Sequence, residues 1–560
     1  RLEALAGVID AHGVAAEVVT RDVAPVGRGT RVAQTLIQVP VMTLHAATFV
    51  TWWAIIATAL GWVSLNWVAL AVLFVVVCTP LGRLPLAALG ARAIRGRLQP
   101  GNYPRGGRVH VRLWAAERWV AATGALNISG STWVAYFARL LGAQVGRGVD
   151  LHTVPPVTGL LSLGDNAAIE PEVDLSGYWL DGDILRVGTV TIGKDARVGA
   201  RSTLLPGADI HAGAHIEPGS TVTGDKPVKK GARWAGSPAR KVGRSKQRFP
   251  DYHPPRRRYW AWLYGATALL LAAVPVASAL AGVAAVVGLI RLTAGSPYVG
   301  ALLFAPVGAL VYLALYATLT WVGVRLCSLG LRPGVTPVRS AQGWRLWTIT
   351  RLLDDARTRF FPIYAGGLTP AWLRSLGATV GNDVEVSTAV MIPKLTTIKD
   401  GAFLADDTLV GTYELGHGWM RTGETTIGKR AFVGNSGITQ PGRKLAKNSL
   451  VAVLSSTPKK SKSGSNWWGS PPERMRRVEV TALGGEALTY RPSASVKRKR
   501  GFVETLRLLA PMGHGVLAAA FIALVHFALV QLGWWAYALG GLAFMAVGIA
   551  AVLMTALVKW

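Results

Sequence analysis

The sequence predicts an α + β membrane protein in which three transmembrane helical hairpins alternate with parallel β-helix domains. Three observations predict it. Six long apolar runs fall in three pairs, a strict six-residue apolar period fills the stretches between the pairs, and basic residues crowd the edges of the apolar runs. The composition agrees. Of 560 residues, 51% are hydrophobic and only 16% charged, yet Lys and Arg outnumber Asp and Glu by 60 to 30, a formal net charge of +30. So much apolar content excludes a disordered polycation. The long uncharged stretches argue against an ordinary soluble enzyme. Cys78 and Cys327, both inside apolar runs, exclude a disulfide-stapled secreted protein.

The apolar runs are Val39–Leu60 with Leu65–Leu86, Trp262–Ile290 with Val299–Val324, and Leu508–Leu532 with Trp534–Val558. Each is long enough to cross a bilayer core of about 30 Å as a helix. Trp52, Trp53, Trp62, Trp260, Trp321, Trp534 and Trp535 lie mostly near their ends, as an interfacial aromatic belt requires. The links inside each pair are short and almost uncharged, whereas Arg92, Arg95 and Arg97, Arg256–Arg258 and Lys497–Arg500 flank the pairs from outside. The positive-inside rule puts those flanks, and every soluble part, in the cytoplasm, with the basic clusters against anionic headgroups. Nucleic-acid binding is a poor alternative, because the basic residues track the membrane edges rather than an aromatic-studded face. His45, His514 and His526 lie within the apolar runs with no accompanying chain of carboxylates, which argues for interhelical hydrogen bonding and against a transporter.

The periodic apolar positions in the first soluble region are Val145, Leu151, Val157, Leu163, Ile169 and Leu175, then Ile192, Val198, Leu204, Ile210, Ile216 and Val222. The second has Val380, Val386, Ile392, Ile398, Leu404 and Val410, then Ile427, Val433, Thr439, Leu445 and Val451. A period of six fits neither a helix nor an alternating strand. It fits a β-helix of triangular section, with one inward aliphatic per face and small residues at the corners. Three steps close a coil, so each domain should have about four coils. Each series is interrupted once, by the same 11 extra residues. The two regions match at an offset of 235 residues, as Leu141-Gly142-Ala143 does with Leu376-Gly377-Ala378.

Repeats of this kind followed by Gly236-Ser237-Pro238-Ala239-Arg240 resemble the hexapeptide-repeat acyltransferases, whose β-helices are left-handed; Gly469-Ser470-Pro471-Pro472-Glu473 departs at its last two positions. The alternation of hairpins with β-helices resembles the C-terminal region of membrane-bound nonribosomal peptide synthetases of the ε-poly-lysine synthetase type. Leu2–Asp10 reads as a short amphipathic helix and is similar to the last helix of a carrier domain. The resemblance divides the chain into the end of a carrier-like domain and linker (1–36), hairpin 1 (37–90), β-helix 1 (91–258), hairpin 2 (259–328), β-helix 2 (329–500) and hairpin 3 (501–560). The first residue is Arg and the chain stops directly after an apolar run, which reads as a piece of a longer protein. The resemblance implies upstream adenylation and carrier domains and a third β-helix beyond the chain end, packed beside the other two. It implies 4′-phosphopantetheine on the carrier and ATP used only in the adenylation domain. The lipid bilayer is a further partner, and association into homo-oligomers stays open.

In such acyltransferases a histidine on an excursion from the β-helix serves as base. The second excursion, 411–423, carries His417 between two glycines, with Glu414 to orient it and Arg421 to bind a carboxylate or phosphate. The first excursion, 176–188, has Gly182 at the matching position. Tyr178 and Arg186 match Tyr413 and Arg421, and Asp181 and Asp183 are placed to recruit a cationic amine. These form the candidate substrate-binding set. The tails, with Trp234, Gly236 and Pro238 in the first and Trp468, Gly469 and Pro471 in the second, are candidates to flank the pantetheine arm. His211 and His215 each neighbour an inward residue and are expected to be exposed. No metal-ligand cluster and no Gly-rich phosphate loop is visible in the spacing. The predicted function is amide formation between carrier-bound aminoacyl thioesters and an amine acceptor. The alternatives are a membrane-anchored CoA-dependent acyltransferase and a non-catalytic scaffold that docks partner enzymes.

Overall fold

Both periodic regions fold as three-faced parallel β-helices. The computed structural model describes residues 23–124, 128–293, 295–361, 364–476 and 492–559; the Leu2–Asp10 segment lies outside them. Val145 pairs in parallel with Leu163 and Leu151 with Ile169, partners eighteen residues apart, so three six-residue steps make one coil. Leu163–Ile192 and Ile169–Val198 are eleven residues longer, which places the insertion inside one coil. The second domain repeats this, with Val380 on Ile398, Leu404 on Val433 and Val433 on Val451. The inward aliphatics Leu163, Ile169, Ile192, Val198, Ile210 and Ile216 are all buried. Stacked corners leave no space for side chains: a Cβ on Gly164 would lie 2.4 Å from the backbone nitrogen of Lys194.

One slot departs from the period. Met391, not Ile392, pairs with Val410, and a 3-10 turn at Pro393–Leu395 follows. The insertions are hairpins rather than loops. Tyr178–Asp181 pairs with Ile184–Val187, and Gly101–Pro104 adds a third antiparallel strand. In the second domain Glu414–Gly416 pairs with Trp419–Thr422, and Gly334–Pro337 adds the third strand. A short helix leads into each β-helix, Trp133–Leu141 and Thr369–Ser375, and buries Phe137 and Leu141 or Leu373 in the adjoining core.

Among the described residues, four helical stretches are long and apolar enough to cross a membrane: Arg28–Ala59, Tyr259–Arg291, Pro297–Ser328 and Ala494–Leu557. The last contains Leu509–Leu532 and Ala536–Lys559, separated by a 3-10 turn at Gly533–Trp535. The predicted run Leu65–Leu86 is not a straight span. Trp67–Cys78 and Pro80–Arg95 meet at an angle of 66°. Thr79 is extended ahead of Pro80, whose ring fixes its own φ and disfavours helix at the residue before it. The apolar helices pack through small residues: a Cβ on Gly282 would lie 2.6 Å from the Gly308 carbonyl oxygen.

Several basic residues expected at headgroups are engaged by the β-helices instead. Arg95 donates to the Val157 carbonyl at 2.6 Å, Arg256 donates to both Asp150 oxygens at 3.2 and 3.0 Å, and Lys497 and Arg500 pair with Asp383 and Glu385. The β-helices lie side by side. Ala200 of the first packs with Val390, Leu409 and Ile438 of the second, and Ser470 Oγ donates to the Pro218 carbonyl at 2.5 Å.

Candidate active site at the seam between the β-helices

The hairpin of the second β-helix lies against the first, and the segment after residue 244 closes over it. Gly416 is required there, since a Cβ would meet the Phe249 ring at 2.5 Å. His417 and Gly418 form the tip with φ of +54° and +80°, the two-residue turn whose backbone twist suits a hairpin. That conformation costs a non-glycine residue about 1 kcal/mol or more, so the surrounding packing holds His417 in place.

His417 Nδ1 lies 3.7 Å from Asp195 Oδ1 of the first β-helix. Burial holds its imidazole below the ordinary value, while Asp195 pulls the other way. The His253 ring is 5.7 Å away, with its Nδ1 3.2 Å from the His417 carbonyl oxygen and its Nε2 3.4 Å from Asp195 Oδ1. Asp195, His253 and His417 thus form a cluster of metal-ligand types among the described residues, which spacing along the chain did not reveal.

Glu414 does not orient His417. Its Oε2 accepts from Arg421 Nε at 2.9 Å and lies 3.5 Å from Arg248, so Arg421 is committed to Glu414 rather than free for an anion. Both occupy adjacent antiparallel strands, which brings their side chains to one face. Tyr413 is buried, its hydroxyl 2.8 Å from His152 Nδ1. It joins the two β-helices and is not presented to a substrate. Burial raises the phenol and lowers His152 to about 3.

Glu170 accepts from the Leu415 and Ala200 backbone nitrogens, both at 2.9 Å, and burial with Glu414 beside it pushes its carboxyl up to about 8. A pocket at this seam is lined by Glu170, Arg197, His215, Glu217, Arg248 and Glu414. His215 was expected to be exposed. It points out of its own β-helix but is buried beneath the second, and burial lowers its imidazole well below the ordinary value. His211, by contrast, is exposed beside Asp209 at 3.1 Å.

The first hairpin is engaged locally. Tyr178 donates to Glu117, Arg186 pairs with Asp181 at 2.6 Å, and the Asp183 side chain is exposed. In the tails, Gly236 N donates to Ser220 Oγ at 3.3 Å and Pro238 follows a cis bond. The Trp234 indole nitrogen is buried with no partner among the described residues. Gly469 N donates to Ser455 Oγ at 2.8 Å, Pro471 follows a cis bond, and Trp468 is exposed.

The chain is 28% identical over 481 residues to the delta-poly-L-ornithine synthetase of Acinetobacter baumannii, a match covering 82% of the chain and 36% of that protein. Most of the chain is thus similar in sequence to a poly-amino-acid synthetase. The chain spans about a third of that enzyme's length. It is also 29% identical over 131 residues to an Escherichia coli protein assigned to the acetyltransferases of colanic acid biosynthesis, across 23% of the chain and 66% of that protein. Among solved structures, the serine acetyltransferase of Neisseria gonorrhoeae is similar at 20% identity and a TM-score of 0.18, a match covering 37% of this chain and 79% of that one. No family model matches.

Proposed function

We propose that the chain forms amide bonds at the seam between its two β-helices, moving an aminoacyl group from a carrier-bound thioester to an amine acceptor. The similarity to a poly-amino-acid synthetase over 481 residues carries this reading, because it runs through the hydrophobic helices and both β-helices together. His417 is the general base. Its Nδ1 side faces Asp195, and its Nε2 has no hydrogen-bond partner among the described residues. The acceptor nitrogen attacks the thioester carbonyl and a C–N bond forms. His417 Nε2 takes the proton from that nitrogen. The tetrahedral intermediate then collapses, the C–S bond breaks, and the leaving thiolate takes the proton from the imidazolium. Such a base contributes about 10²- to 10⁴-fold.

The thioester arrives on a phosphopantetheine arm as substrate. The second tail is engaged by Pro218 through Ser470, so Trp234, Gly236 and Pro238 of the first tail are the residues left to receive the amide-rich arm. The apolar helices would form three hairpins, holding both β-helices on the cytoplasmic face.

A third β-helix would complete the ring. Leu180 is the counterpart of Leu415, 235 residues earlier. Leu415 is 1% exposed against the first β-helix, whereas Leu180 is 42% exposed.

Incubating the chain in nanodiscs with an aminoacyl-pantetheine thioester and a free amine tests the reading. Amide product supports it. Amide formed only from acyl-CoA supports the membrane acyltransferase instead, and no turnover of either donor supports the scaffold.

A further inference from the structure

We propose that Asp195, His253 and His417 form a site for a divalent transition metal, with zinc as the fitting ion. The three residues come from the first β-helix, the segment that follows it, and the hairpin of the second β-helix. Their ligand atoms all lie within 4.8 Å of one another.

The spacing is the first argument. Asp195 Oδ1 is 3.4 Å from His253 Nε2 and 3.7 Å from His417 Nδ1. Two ligands of a tetrahedral zinc, each about 2.0–2.1 Å from the ion, stand about 3.4 Å apart. The same distances are long for a hydrogen bond. Asp195 Oδ1 is buried and accepts no hydrogen bond among the described residues.

The tautomer is the second argument. The His417 carbonyl can only accept, so His253 Nδ1, 3.2 Å away, carries the hydrogen. In the neutral imidazole His253 Nε2 therefore carries a lone pair, 3.4 Å from Asp195 Oδ1. Two electron-rich atoms facing each other call for a cation between them. The Asn166 side-chain amide is 3.3 Å from the same Nε2 and would have to turn aside for an ion to bind there. A histidine ligand whose other nitrogen is fixed by a backbone carbonyl is the usual second layer of a metal site. Asp251 adds a further carboxylate near His417, and Arg197 a nearby opposing cation. Two imidazoles and one carboxylate suit zinc rather than magnesium or calcium.

Three protein ligands leave a fourth position for water. Zinc on His417 Nδ1 places the remaining hydrogen on Nε2, where it cannot accept a proton. The ion would lock the hairpin tip to the first β-helix and stop turnover; this consequence rests on His417 being the base, whereas binding itself does not.

The test is titration of the metal-free chain in detergent with zinc chloride, followed by calorimetry, and with cobalt chloride, followed by visible absorption. The wild type is expected to bind one zinc and to show the intense bands of tetrahedral cobalt. His253→Ala and Asp195→Asn are expected to lose those bands and to weaken zinc by more than the roughly 10- to 100-fold that loss of an outer-shell partner costs. Equal zinc affinity and identical spectra in wild type and both variants would overturn the site. Zinc binding that leaves amide formation unchanged supports the site and counts against His417 as base.

Discussion

The Tyr413 hydroxyl lies 2.8 Å from His152 Nδ1, linking the hairpin of the second β-helix to the first β-helix across 261 residues of sequence. Both side chains are buried. Tyr413→Phe leaves the imidazole nitrogen unpaired in a dry contact and is expected to cost about 1–3 kcal/mol. Thermal unfolding in detergent measures it. Because Tyr413 does not face a substrate, the KM for the amine acceptor should not move.

Asp150 is 1% exposed on its side chain and holds Arg256 at 3.0 Å, with Arg339 at 3.8 Å. Asp150→Ala removes the buried carboxylate that faces Arg256 and Arg339. The expected loss is about 3–5 kcal/mol, the cost of breaking a buried pair. The midpoint of thermal unfolding reads it, and Asp150→Asn should recover part of the loss.

Glu170 sets a pH dependence with a definite sign. Its folded value of about 8 lies above the ordinary 4.5, so the folded protein binds the proton more tightly than the unfolded chain does. Its contribution to stability is fully present below 4.5 and is lost as pH rises to about 8. Glu170→Gln should lower stability by about 1 kcal/mol at low pH, because its amide oxygen accepts one of the two backbone N–H groups and its amide nitrogen cannot accept the other. It should also flatten the curve across that window. Thermal scans at several pH values compare the two slopes.

Gly282 lies where its helix touches the carbonyl of Gly308. Gly282→Leu should separate Tyr259–Arg291 from Pro297–Ser328 and lower stability by about 1–3 kcal/mol, the usual cost of overpacking. Unfolding in micelles checks this, and Gly288→Leu, which meets nothing within 4 Å, is the control.

The inward residues made the β-helices legible. Leu163 and Ile169 repeat because each must fill the same place in the next coil, and a spacing of six with three faces follows from that. Outward residues carry no such rule. His215 and Glu170 sit beside inward aliphatics, and only the packing of the second β-helix makes one outward face interior. His417 was visible because two glycines on an interruption of the repeat mark a tip. Its neighbours Asp195 and His253 were not, because they arrive from other segments and join only when the β-helices pack. The bend at Thr79–Pro80 was signalled by the proline, but the continuous apolar run masked it.

The proposed base for amide formation at the seam is His417, facing Asp195. Single-turnover amide formation from an aminoacyl-pantetheine thioester, compared between wild type, His417→Ala and Asp195→Asn, tests it most directly. The expected result is a fall of about 10²- to 10⁴-fold for His417→Ala and a smaller fall for Asp195→Asn, with an unchanged unfolding midpoint certifying the fold. Wild-type rates in a folded His417→Ala variant would contradict it.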